Sequence, residues 1–273
     1  MVPSDELVAR LRAAGCVYAE EEAVVLVEAA GDDELEPLVR RRIEGEPLEH
    51  IVGWVAFGSL RLAIGTGVFV PRRRSARLAR AAVRVAGIQE RPVVLEAYSG
   101  IAPLAASVAA AVPAAEIHAC DSDPRALRWA RENLPPDAGV HLADGLAGLP
   151  ARLSGGITLI AAVPPYVPVG DAALIPRDAR AHEPAIAFFA GDDGLDRVRE
   201  LIGAARDWLA PGGRVLVELG RRQGRAATAA ARRAGYRASY RTGPDGQTAL
   251  LDLRAPPAAL PPRLEDHERQ DQA

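Results

Sequence analysis

The chain has no lysine: all 33 positive charges are arginine. With abundant Ala, Gly and Pro, that bias marks mutational pressure from a GC-rich genome, so an arginine run is weak evidence for a binding patch. Against 36 acidic residues the balance is a net charge of −3, which excludes the strongly basic footprint of a nucleic-acid binder. Cysteine is scarce. Cys16 and Cys120 are too far apart to suggest a disulfide framework or a metal knuckle, and reduced, buried thiols are expected. Long apolar runs are missing too: none approaches the roughly 20 residues needed to span a bilayer. No basic segment precedes an apolar stretch at the N-terminus, so no signal peptide is expected and a cytoplasmic protein is. What remains is 273 residues, 49% of them hydrophobic, enough for one large domain or a domain with a small companion.

Residues 4 to about 45 read as short helices. Ser4 is placed to cap a segment carrying Leu7, Val8 and Leu11, and Gly15 follows where that helix would stop. A second segment, Glu20 to Ala30, carries the apolar run from Ala23 to Val27 and ends at Gly31. A third runs from about Asp33 to Ile43 and is stopped by Gly45 and Pro47. Helices this short bury little alone, so they should lean on the rest. From Val52 to Val70 the pattern changes. Val55, Phe57, Leu60, Leu62, Ile64, Val68 and Val70, punctuated by Gly58, Gly65 and Gly67, fit short extended segments and a bridging β-hairpin.

Strand–helix alternation follows, which predicts a parallel sheet with helices on both faces. Strands are expected at Pro92 to Ala97, Glu116 to Cys120, Val140 to Ala143, Ile157 to Val163 and Arg214 to Leu219. Helices are expected from about Pro103, from Asp123-Pro124 (an N-cap residue and a first-turn proline), from Leu195 to Leu209 and from Gln223 to Ala234. Asp245-Gly246 is a strong hairpin signal, so the sheet should finish with an antiparallel pair. The Pro-rich, then charged tail from Pro256 is expected to be disordered.

In an open parallel sheet, ligands sit outside the carboxyl ends of the strands. Those ends carry Glu96 with Tyr98 and Gly100, then Asp121, then Asp144-Gly145, then Val163-Pro164-Pro165-Tyr166. Acidic groups in that order suit a nucleoside: Asp121 is placed to accept both ribose hydroxyls, and Asp144 to face an adenine ring. No G-x-G-x-x-G opens the first helix, which disfavours a dinucleotide oxidoreductase.

Several segments resemble, in order, those of the release-factor glutamine methyltransferases. They are Gly45-Glu46-Pro47-Leu48-Glu49-His50, Gly53 and Phe57, Gly67-Val68-Phe69-Val70-Pro71-Arg72, Pro164-Pro165-Tyr166, His182-Glu183-Pro184, Gly191-Asp192-Asp193-Gly194-Leu195 and Leu209-Ala210-Pro211-Gly212-Gly213. The resemblance covers roughly residues 35 to 253, and Arg72-Arg73-Arg74 resembles an actinobacterial-type branch. It implies an α/β chain with a Rossmann-like class I methyltransferase sheet at 72–255, a helical domain at 1–50 that holds a protein partner, a hairpin linker at 51–71 and a tail at 256–273. It also implies S-adenosylmethionine as cofactor, contacted by Glu96, Tyr98, Gly100, Asp121, Asp144 and Gly145. Val163, Pro164, Pro165 and Tyr166 are implied at the reacting centre, with a release factor or a small molecule as acceptor.

Two loops depart from the family pattern. Tyr98 and Ala102 stand at glycine-type positions of the first loop, so their side chains should crowd the cofactor unless the loop has moved. Val163 stands where the family has the Asn that hydrogen-bonds the substrate amide, and glutamine methylation should suffer. A non-catalytic binding module and a repurposed relative are therefore carried as alternatives. His182 is expected to be structural, and His118 buried or pocket-lining, a base only if it faces the site. Tyr98 and Tyr166 could stack on a ligand or simply pack. The run Arg72 to Arg74 fits an acidic partner or a solvated surface equally well.

Overall fold

A computed structural model describes residues 3–31 and 35–257. The expected helix start at Asp33 and nearly all of the tail expected to be disordered lie outside the described residues. Ser4 caps α1 (Asp5–Ala13) by accepting a hydrogen bond from the Leu7 amide. Helices α2 (Ala19–Ala30), α3 (Leu35–Ile43) and α4 (Leu48–Val52) follow. Leu7, Leu11, Ala23, Leu26, Val39 and Ile51 form a cluster of their own, and Arg42 pairs with Glu22 across it at 2.6 Å.

The hairpin is shorter than the apolar pattern predicts. It comprises β1 (Trp54–Phe57) and β2 (Leu60–Ala63) only, and Val52 closes α4 instead. The last pairing bond runs from the Ile64 N–H to the Gly53 carbonyl at 3.1 Å, and Asn133 takes both outward-facing backbone groups of Ala63, accepting from its N–H at 2.7 Å and donating to its carbonyl at 2.9 Å. Gly65 then passes so close to Trp129 that a Cβ would sit 2.3 Å from the indole ring. Val68 and Val70 are buried in the main core without belonging to a strand. Helix α5 (Ala76–Ala86), not anticipated, buries Leu78, Ala79, Ala82, Val85 and Ala86.

The remaining elements build a seven-stranded sheet. Its strands are β3 (Val93–Ala97), β4 (Glu116–Asp121), β5 (Gly139–Leu142), β6 (Ile157–Ala162), β7 (Leu209–Gly220), β8 (Arg237–Thr242) and β9 (Thr248–Arg254). The spatial order is β5-β4-β3-β6-β7-β9-β8, parallel through β7 with β9 antiparallel to both neighbours. Helices α5, α6 (Pro103–Ala111) and α7 (Pro124–Asn133) cover one face; α9 (Asp196–Trp208) and α10 (Gly224–Arg233) cover the other. Burial on both faces explains why β3 and β6 read as nearly continuous apolar runs, interrupted only by Glu96 and Thr158. Pro211-Gly212-Gly213 does not end a helix as expected. Helix α9 stops at Trp208, and the three residues lie in β7, where the register against β6 shifts. Between β6 and α9, short turns and α8 (Arg177–His182) form a flap closed at its base by the Val167–Phe189 bridge.

Candidate active site

The sequence order of the strands reverses between β3 and β6, and there a cavity of about 550 Å³ opens at the carboxyl ends. Glu96, Tyr98, Gly100, Asp121, Asp144, Val163, Pro164, Pro165 and Tyr166 all line it; Gly145 does not. Phe69, Arg72 and Arg74 arrive from the segment after the hairpin, and Ile175, Ile186 and Phe188 from the flap.

Glu96 is 2% exposed, and its Oε2 accepts the Ala105 amide of α6 at 2.6 Å. Burial raises its carboxyl to about 8 despite that bond. Asp121 accepts the Gly100 amide on one oxygen at 2.8 Å and the Asp123 amide on the other at 2.9 Å. Burial raises this carboxyl as well. Asp144 is largely exposed and pairs with Arg197 at 3.2 Å. The Ser99 hydroxyl, buried at the cavity wall, has no hydrogen-bond partner among the described residues.

The first loop keeps a glycine-like path without the glycines. Tyr98 and Ala102 lie at φ 53° and 63°, the left-handed region that side chains avoid. Ala102 turns its methyl into the core and does not line the cavity, so the crowding expected there is absent. Tyr98 does line the cavity, but part of its ring packs on the opposite core, with its hydroxyl near the Arg197 carbonyl. Gly145 makes room for it: a Cβ there would meet the Tyr98 hydroxyl at 3.0 Å. Gly145 thus stands beside the cavity and clears space for a residue that lines it.

Pro164, Pro165 and Tyr166 are fixed from behind. Gln223 donates to the Tyr166 carbonyl at 2.7 Å, and Gly194 passes so close that a Cβ would sit 2.2 Å from that oxygen. The Tyr166 hydroxyl accepts from Arg74 at 2.9 Å, and burial raises its pKa. The arginine run is not a free patch. Arg72 donates to both oxygens of the buried Glu183 at 2.9 and 2.7 Å and stacks 4.7 Å over Phe69. Burial lifts Glu183 to about 7 although Arg72 pulls it down. Ser75 donates to the buried Glu218 at 3.0 Å, beside Arg74. His118 is buried away from the cavity, bonded to His141 at 3.1 Å and Glu116 at 2.9 Å. His182 does not line the cavity either. Among the described residues no group of three metal-ligating side chains occurs, and no helix is long and apolar enough to cross a membrane.

Known proteins share this chain's sequence over most of its length. The release factor glutamine methyltransferase of Deinococcus radiodurans is 36% identical over 93% of this chain and 92% of its own. That of Streptomyces coelicolor is 37% identical over 68% of this chain and 67% of its own. A 4-amino-L-phenylalanine/4-methylamino-L-phenylalanine methyltransferase from Streptomyces pristinaespiralis is 35% identical over 67% of this chain and 64% of its own. A solved protein-(glutamine-N5) methyltransferase from Alicyclobacillus acidocaldarius gives a TM-score of 0.43 at 19% identity, over 69% of this chain and 95% of that one. No family profile matches the chain.

Proposed function

The chain belongs to the release factor glutamine methyltransferase family, and from that premise we propose that its cavity binds S-adenosylmethionine and directs the methyl group to an acceptor nitrogen. The residues present suit the cofactor. A buried carboxylate (Glu96), an unpartnered hydroxyl (Ser99) and open space over Gly100 meet at one loop. When bound, the cofactor supplies a methyl group activated by the positively charged sulfur.

The chain's own residues bind and aim. Glu96, in its ionised form, would hold the ammonium end. Asp121 has engaged two of its roughly four lone-pair sites with backbone amides and keeps the others for a ribose diol. Asp144, at the cavity rim beside Arg197, would face the base edge. Pro164 to Tyr166, clamped by Gln223, set one wall of the acceptor site. Catalysis of this kind rests on orientation rather than a strong base.

Val163 is the observation that separates this chain from the named activity of its relatives: it lines the cavity and offers no side-chain hydrogen bond where an amide-aiming Asn is expected. Losing such a bond costs on the order of 2–4 kcal/mol of transition-state stabilisation. The natural protein should therefore transfer methyl groups to a release factor slowly, and Val163→Asn should raise that rate roughly 30-fold or more. An unchanged rate would remove glutamine from the acceptor list. Calorimetric titration with S-adenosylmethionine and S-adenosylhomocysteine tests the cofactor directly; no heat at millimolar ligand would sink the proposal. Binding without transfer to any acceptor would support the alternative of a binding module.

A further inference from the structure

Two glutamines stand at the Tyr166 side of the cavity, and the fold uses the side chain of only one. Gln223 is committed at both ends of its amide. Its nitrogen donates to the Tyr166 carbonyl at 2.7 Å and the Asp193 carbonyl at 2.8 Å, and its oxygen accepts the Gly220 N–H at 2.8 Å. Gln247 lies in the turn between β8 and β9, one residue before Thr248, which pairs with Gly220 across β7 and β9. It lines the cavity, and its backbone is held on both sides. The N–H donates to Asp245 Oδ1 at 3.0 Å, and the carbonyl accepts the Arg221 N–H at 2.8 Å. Asp245 also accepts the Thr248 N–H at 3.1 Å and hydroxyl at 2.9 Å, so one carboxylate ties the turn together. The Gln247 side chain itself is exposed and makes no hydrogen bond among the described residues.

The cavity side chains around Val163 and Tyr166 differ in what they still have to offer. Arg72 is engaged with Glu183, Ser75 donates to Glu218 and Thr248 donates to Asp245. Tyr166 accepts from Arg74 and keeps its own O–H. Val163 offers nothing polar. Gln247 keeps a whole carboxamide, with N–H donors and a carbonyl acceptor. An amide acceptor needs both kinds of partner. A donor must meet its carbonyl and an acceptor one of its N–H groups, so that its plane is held while the nitrogen faces the methyl group.

From this juxtaposition we propose that Gln247 positions the methyl acceptor, doing from the β8–β9 turn what Val163 cannot do from the strand end. The inference rests on the methyltransferase reading of the same cavity. The Gln247 carbonyl receives one acceptor N–H, and its NH2 group donates to the acceptor carbonyl. The acceptor lone pair then forms the new N–C bond to the methyl carbon as the C–S bond breaks. That bond's electron pair passes to sulfur, which becomes a neutral thioether, and the methylated nitrogen releases one proton to water. Gln247 reaches in on a longer arm than a strand-end Asn and loses more rotamer freedom when it binds. It aims less well, which is why Val163→Asn still has room to raise the rate.

Two substitutions test it with the full chain, saturating S-adenosylmethionine and a release factor. Gln247→Met keeps the length and removes the amide; Gln247→Asn keeps the amide. Gln247→Met should lower kcat about tenfold or more, with S-adenosylhomocysteine affinity and Tm unchanged. Gln247→Asn should recover part of that loss. In a Val163→Asn background Gln247→Met should cost less than about threefold, because the strand-end amide takes over. Equal losses in both backgrounds, or a loss matched by a fall in Tm, would overturn the inference. So would full activity of Gln247→Met, or a natural protein that binds the cofactor and transfers nothing to the release factor. If the cofactor itself fails to bind, the methyltransferase reading falls first and the role of Gln247 with it.

Discussion

Tyr98 and Ala102 hold left-handed backbone that costs an ordinary side chain roughly 1–2 kcal/mol each. The cavity mouth inherits its shape from that strained turn, and Gly145 makes the turn possible. Gly145→Ala adds a methyl at φ 62°, 3.0 Å from the Tyr98 hydroxyl. It should lower stability by about 2 kcal/mol in urea unfolding. In a Tyr98→Phe background the loss should shrink toward the backbone cost alone. Glu96 carries the pH dependence. Its folded pKa of about 8 lies above its ordinary 4.5, so the folded state binds the extra proton and loses stability as pH climbs between those values. An ammonium ligand needs the ionised form. S-adenosylhomocysteine should thus bind about tenfold tighter at pH 7 than at pH 6, with proton release measurable by calorimetry in different buffers. Glu96→Gln should flatten that profile; a slope unchanged by the substitution would refute the assignment.

Besides the Val167–Phe189 bridge and its apolar packing, the flap is tied to the segment after the hairpin by an ion pair. Glu183 ends α8 with its side chain 1% exposed, and Arg72 reaches it from the segment after the hairpin. Breaking such a pair strands a buried carboxylate. Arg72→Met should cost about 2 kcal/mol at pH 8 and less at pH 5.5. The sign follows from Glu183, whose folded pKa is already raised to about 7 and would rise further without its partner. Amide exchange across 167–190 is the readout. Equal loss at both pH values would show that packing, not charge, holds the flap. Nothing in the sequence marks Arg72 and Glu183 as partners: they are 111 residues apart, each inside a motif that reads locally as something else.

Across the whole molecule, Asn133 fastens the hairpin to the sheet. One side chain satisfies the Ala63 N–H, the Ala63 carbonyl and the Ile101 carbonyl. Ile101 belongs to the cofactor-side loop, so the hairpin and the cavity share a fastening. Asn133→Leu should destabilise the protein by about 2–3 kcal/mol, since three backbone groups lose their partner at once. It should also weaken S-adenosylhomocysteine binding severalfold. Unaltered binding at lowered stability would confine Asn133 to a structural role.

Sequence alone determined the helical start, the alternation that makes a parallel sheet, the closing antiparallel pair and the strand ends that line the cavity. Those features are periodic or local: apolar spacing, capping residues, a turn dipeptide. It also exposed Val163, because a missing amide is visible without coordinates. Helix α5 was within its reach too, through the spacing of Leu78, Ala82 and Val85. Only the tertiary structure decided that Tyr98 and Ala102 keep the glycine path, that the end of the hairpin is fastened at Ala63, and that Arg72 and Arg74 turn inward. Each depends on a partner distant in the chain: Gly145, Asn133, Glu183, Tyr166. Contacts of that range leave no periodicity in the sequence, so they become visible only when the fold brings them together.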